Sequence, residues 1–180
     1  MTDSELVRSS LEGNLESYRA IMERYRQSAM GVAMNILANY QDAEDTCQDA
    51  FLRAYQNLEK FDPARSFKNW FYTLVSNLCL DRIRKRRSFR DFLGRYQKED
   101  EAAAVTHPDD PAPREFLEAR FLRRLTPRER TSLYLWAQEG YSGADIASVL
   151  GCSEKTVHVY LFRARTKIRT LMKEKENETR

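Results

Sequence analysis

Apolar positions recur every three to four residues along most of this chain, and the two-residue alternation of a half-buried strand is missing. Leu15, Tyr18, Ile21, Met22, Tyr25, Ala29, Val32, Ala33 and Ile36 trace one face of a long helix. A second helix is expected over about 43–58, with Asp42 as its N-cap. The break at Phe61-Asp62-Pro63 separates it from a third, expected from about Ser66 to Arg87. Near the other end, Thr126-Pro127-Arg128-Glu129 is a capping box with proline at the first helical position. Ser142 with Asp145, and Ser153 after Gly151-Cys152, mark two further helix starts. The last helix should run to about Leu171, with Val157, Leu161, Ala164, Ile168 and Leu171 as its core stripe. The pattern predicts an all-α fold. Gly143, placed directly after the cap serine, should cost its short helix up to about 1 kcal/mol.

Composition divides the chain. Residues 94–114 hold three of the five prolines, an acidic cluster and few large apolar groups. Such a stretch cannot bury enough surface to offset its ordering entropy, and it reads as a flexible acidic linker. Two small helical domains are therefore expected, at about 1–92 and 115–174, with a linker at 93–114 and a polar tail at 175–180.

Three segments carry candidate chemistry. Two short capped helices meeting at Gly151-Cys152-Ser153 form the layout of a helix-turn-helix, whose second helix enters the major groove of DNA. With the core stripe removed, its outward residues are Lys155, Thr156, His158, Val159, Phe162, Arg163 and Arg165, a mixture suited to base edges and phosphates. The second helix opens with Asp42, Glu44 and Asp45, which its dipole favours; Gln48 and Asp49 lie a turn further on, where a surface for a basic partner explains them better. The third helix begins with Phe67, Trp70, Phe71 and Tyr72 and ends with Arg82, Arg84, Lys85, Arg86 and Arg87. Aromatics followed by a dense cationic run suit unpaired bases and their backbone.

Charge and cysteine usage exclude several classes. The net charge is only +3, so the cations act through clustering. Cys47, Cys79 and Cys152 lack metal-ligand spacing and read as small buried residues, so neither metal nor cofactor is expected. His107 and His158 stand alone, with no glycine-rich phosphate loop or nucleophile motif, which argues against an enzyme. No membrane-length apolar run or leader is seen, and a cytoplasmic protein is expected. The helix-turn-helix alone would also fit a dimeric transcription regulator, but that reading calls for an N-terminal sensor fold with strands.

The strings DAEDTCQDAFLRAYQNLEKFD, SFKNWFYTLVSNLCLDRIRKRR and LTPRERTSLYLWAQEGYSGADIASVLGCSEKTVHVYLFRARTKI, in that order, resemble a bacterial RNA polymerase sigma factor of the extracytoplasmic-function group in the sigma-70 family. The resemblance implies a region 2 domain, a region 4 domain and promoter-specific initiation with RNA polymerase core and promoter DNA as partners. It implies that Asp42, Glu44, Asp45, Gln48 and Asp49 dock on polymerase. For the −10 element it implicates Phe61, Asp62, Ser66, Phe67, Asn69, Trp70, Asn77, Arg82, Lys85 and Arg86. For the −35 element it implicates Ser153, Lys155, Thr156, His158, Val159, Phe162, Arg163 and Arg165. It further implies an anti-sigma factor partner covering both domains.

Overall fold

The computed structural model describes residues 1–96 and 124–178, with side chains at 1–89 and 124–174, and seven α-helices are set out among these described residues. They are α1 (Asp3–Leu11), α2 (Leu15–Leu37), α3 (Tyr40–Gln56), α4 (Phe67–Tyr96), α5 (Pro127–Ala137), α6 (Gly143–Leu150) and α7 (Glu154–Glu178), with a 3-10 turn at Leu58–Lys60. No strand is present among the described residues. The expected linker lies outside them except at 93–96, which prolong α4. In the expected tail, 175–178 continue α7, and 179–180 lie outside.

The helix starts follow their capping chemistry. Thr126 and Ser142 form the capping boxes read from the sequence, with Glu129 and Asp145 returning the bond. Ser153 Oγ accepts from Thr156 N at 3.2 Å, and Gly151 takes the left-handed backbone that closes α6. One start differs from expectation, and one helix was not foreseen. Asn39, not Asp42, caps α3, accepting from Asp42 N at 2.8 Å, so Asp42 sits one turn inside. Helix α1, for which the sequence reading made no expectation, is capped by Thr2 with Glu5 in a further capping box.

The N-terminal lobe buries the expected face of α2 against α1, α3 and α4. Leu15 and Met22 are exceptions: both are exposed, because they sit at the edges of the stripe where no neighbour covers them. A cluster of aromatic rings centres on Phe71, which meets Phe51 at a tilt at 4.6 Å and stacks on Phe67 at 5.9 Å. In the C-terminal lobe Val157, Leu161, Ala164 and Leu171 are buried as expected, and Ile168 is half-buried. The two lobes pack directly together, α5 on α2 and α6 on α4, and one apolar cluster runs through both. Gly143 leaves room for Glu154, whose carboxylate a methyl there would meet at 2.8 Å, so the apparent cost to α6 comes with close packing on α7.

Candidate nucleic-acid interface

Three surfaces hold the residues singled out by sequence. On α7 the core stripe turns the opposite face to solvent: Lys155, His158, Val159, Phe162, Arg163 and Arg165 are all exposed, Phe162 by 70% of its surface. A ring of that size left in water has no packing role, whereas it can press on a thymine methyl or the sugar edge. The hydroxyls of Ser153 and Thr156 lie 2.8 Å apart at the helix start, where recognition helices meet bases. The guanidinium of Arg165 lies over the ring of Trp136 in α5 at 4.2 Å. Sequence reasoning missed Trp136, since its partner comes from another helix.

The second surface gathers at the start of α4. Asp62 accepts from Ala64 N at 3.0 Å, closing a tight loop, and Ser66 caps α4 by accepting from Asn69 N at 3.3 Å. Phe61 and Phe67 are buried edge to face at 5.5 Å, and half-buried Trp70 leans on both at 5.2 and 5.5 Å. The two phenylalanines are thus the floor of an aromatic site and Trp70 its half-buried wall. Asn77 is exposed two turns along the same face of α4. Asn69 points across the molecule and donates to Asp145 Oδ1 of α6 at 3.2 Å.

The basic end of α4 is divided in role. Lys85 is exposed. Arg82 and Arg86 instead reach back to α3: Arg82 Nη2 lies 3.1 Å from Asp42 Oδ1 and 3.0 Å from Asp45 Oδ2, and Arg86 pairs with Asp42 Oδ2. Arg82 Nη1 also donates to Thr46 Oγ1 at 3.3 Å. Asp42 is buried, so of the acidic set it belongs to the interior, holding α3 to α4.

The third surface is the outer face of α3. Glu44 and Asp45 are half-exposed, and Gln48 and Asp49 are exposed. The same face continues into Leu52 and Tyr55, exposed by 57% and 41%. Neither was singled out in sequence, although Leu52 falls one turn after Gln48 and Tyr55 a further turn along. The site is therefore acidic with an apolar end.

Buried thiols complete the picture. Burial pushes the Cys47 thiol up to about 12, with Glu44 adding to it. Cys79 is raised further, first by burial and then by Cys47. Cys152 is only half-buried. No cluster of metal-ligating side chains occurs among the described residues.

An acidic helix face, an aromatic-and-basic helix and a helix-turn-helix in one all-helical chain define a protein that bridges a protein machine and DNA. Residues 21–89 match the family model for Sigma-70 region 2, and residues 119–168 match that for Sigma-70, region 4. The ECF RNA polymerase sigma factor EcfG of Rhodopseudomonas palustris is 32% identical over 147 residues, covering 81% of this chain and 79% of that protein. The RNA polymerase sigma factor CnrH of Cupriavidus metallidurans is 29% identical over 179 residues, 94% of each chain. The solved structure of CnrH in complex with the cytosolic domain of CnrY matches with a TM-score of 0.69 at 27% identity, over 96% of this chain and 97% of that one. The chain belongs to the extracytoplasmic-function group of the sigma-70 family. It is an RNA polymerase sigma factor that directs promoter-specific transcription.

Proposed function

We propose that the three surfaces divide the work of initiation. The outer face of α3, from Glu44 through Gln48 and Asp49 to Leu52, docks on a basic, partly apolar face of polymerase core. The exposed face of α7 reads the −35 duplex, with Ser153, Lys155, Thr156, His158 and Val159 near base edges and Arg163 and Arg165 on phosphates. Trp70, on its floor of Phe61 and Phe67, takes a base leaving the −10 stack, with Asn77 further along the same strand. Lys85 holds the backbone there, and Arg82 and Arg86 join it as far as their ion pairs with α3 permit. Unstacking costs a few kcal/mol per step, and ring contact at Trp70 returns about 1–3 kcal/mol per base. The observation that carries the reading is the 70% exposure of Phe162 among cations on the helix that follows the tight turn.

This work is regulatory and asks no covalent chemistry of the chain. No described helix is long and apolar enough to cross a membrane. A partner of RNA polymerase works where transcription occurs, which supports a cytoplasmic role. CnrH was solved with the cytosolic domain of CnrY. By analogy an anti-sigma factor is a partner of this chain, and its natural targets are the same three faces.

The test is run-off transcription on fragmented genomic DNA with sigma-free polymerase core. Discrete start sites that depend on both components, sharing two elements upstream, are expected. Failure to associate with core, together with tight dimeric binding to palindromic duplex DNA, would move the assignment to a dimeric regulator.

A further inference from the structure

The exposed face of α7 extends beyond the turns that meet bases. His158, Phe162, Arg165 and Arg169 recur at spacings of four, three and four, so one solvent-facing stripe runs along the helix. Beside its far end stands Trp136, in the last turn of α5 and exposed by 46%. Trp136 and the stripe together line a groove of about 420 Å³ that opens onto Ser142 at the start of α6. Inside it the Arg165 guanidinium sits over the indole ring, 4.2 Å from its centre.

The charges of this groove are unbalanced. Arg165 and Arg169 stand one turn apart on the same face, a like-charge spacing that weakens a helix. The ion pairs of α7 among the described residues are those of His158 with Glu154 and Lys167 with Glu129, so neither arginine has a carboxylate partner there. The start of α6 adds no attraction for an anion, because the Asp145 carboxylate already takes Ser142 N and its hydroxyl. Length locates the arginines relative to DNA. From Ser153 to Arg165 the helix advances about 18 Å at about 1.5 Å per residue, against a major groove roughly 12 Å wide. With the helix start at base edges, Arg165 and Trp136 therefore fall beyond them, at the sugar-phosphate wall.

We propose that Trp136 is a positioning residue for Arg165, and that the groove between them and Arg169 grips a backbone phosphate flanking the bases read by α7. The inference rests on the −35 reading above and extends that surface to α5. The indole face holds the guanidinium by its quadrupole before DNA arrives, so less side-chain freedom is lost when the phosphate is met. Arg169, one turn on, supplies a second cation to the same stretch of backbone. Continuity with His158 and Phe162 on the DNA face selects a phosphate over an acidic peptide as the occupant.

Holoenzymes carrying wild-type or variant chain, bound to a duplex fragment from a mapped start site across a salt series, test this. Arg165→Ala should weaken binding and lower the salt slope by about 0.9. Trp136→Leu keeps an apolar side chain but removes the ring face; it should weaken binding about two- to fivefold, with most of the same fall in slope. Combining the two should cost nothing beyond Arg165→Ala, and Trp136→Phe should recover part of the loss. The DNA gives an independent reading. A neutral methylphosphonate outside the −35 bases should weaken wild type at a single position or its neighbour and leave Arg165→Ala and Trp136→Leu indifferent there. If Trp136→Leu lowers Tm, Trp136→Phe and the methylphosphonate series decide. Additive losses with an unchanged slope would make Trp136 a packing residue and overturn the proposal. Unaltered DNA binding with weaker capture of polymerase core would also overturn it, by giving the groove to a protein. Phe162→Ala and Arg163→Ala separate the two levels. If they too leave promoter binding unchanged, the −35 reading itself falls; if they weaken it while the groove variants do not, the phosphate grip alone is lost.

Discussion

Asp42 shows how one residue type can serve two ends in one helix. It is buried between Arg82 and Arg86, whereas Gln48 and Asp49 of the same sequence motif face solvent. Removing it leaves two guanidinium groups without their shared partner, at a cost of about 1–3 kcal/mol for a hydrogen-bonded charged group. Asp42→Ala is therefore expected to lower the urea midpoint, while Gln48→Ala leaves it unchanged and weakens capture by polymerase core. Equal stability of the two variants would return Asp42 to the surface set. On α7, Arg163→Ala should weaken promoter binding by the assembled polymerase uniformly across −35 sequences. The salt slope should fall by about 0.9 for the one lost phosphate contact. A change confined to one base position would instead make Arg163 a base reader. The aromatic floor was half legible in the same way. The density of rings after Ser66 announced it, but only packing decides that Phe61 and Phe67 lie inside and Trp70 at the rim, since periodicity does not reveal which neighbour covers a ring.

At the scale of the element, helix starts were the most legible feature, because a cap is a local bargain between a side chain and its own backbone. Thr126, Ser142 and Ser153 all start helices where the sequence places them. Asn39, itself a favoured capping residue, caps α3, while the carboxylate of Asp42 is held by Arg82 and Arg86 of α4, partners about forty residues away that no local rule detects. Glu129 ties the α5 cap to α7: its carboxylate accepts from Thr126 N at 2.8 Å and from Lys167 Nζ at 2.7 Å. Burial alone would raise its pKa, but the bond and charge of Lys167 with the Thr126 bonds outweigh it, and the pKa is lowered. The sign follows directly. Stability from this carboxylate is complete above its unfolded value of about 4.3 and is lost as pH falls through the lower folded value. Thermal melts taken downward from pH 5 should show Tm falling, and Lys167→Gln should flatten that fall. A parallel slope in wild type and variant would remove the pair from the account.

The molecule as a whole was legible as two helical lobes and not as one joined body. Tyr134 on Gly31 and Arg130 on the end of α2 join residues about a hundred positions apart, where spacing in the chain says nothing about proximity. Gly31 did carry a signal, since a glycine within a long apolar stripe costs about 1 kcal/mol relative to alanine and has to be compensated by a contact. Two half-sites for DNA on one chain also shape its binding. Neither lobe offers a large interface alone, so free protein should bind promoter duplex weakly and with steep loss on adding salt. Polymerase, by setting the separation of the lobes, should sharpen both affinity and sequence choice. Fluorescence anisotropy across a salt series, with and without core, reads this; nanomolar sequence-specific binding by the free chain at physiological salt would contradict it.

The protonated thiols of Cys47 and Cys79 in the N-terminal core give the protein a built-in clock. A thiol held neutral and out of solvent reacts with an alkylating reagent only in the moments when its surroundings open, so its labelling rate counts openings. Cys152, half-buried at the turn before α7, should be consumed first and alone. The remaining two should follow slowly and together, since both sit between α3 and α4. Mass spectrometry over a labelling time course would then resolve the breathing of this bundle without a single substitution, and any ligand that binds across α3 and α4 would slow the second pair while leaving the first thiol untouched.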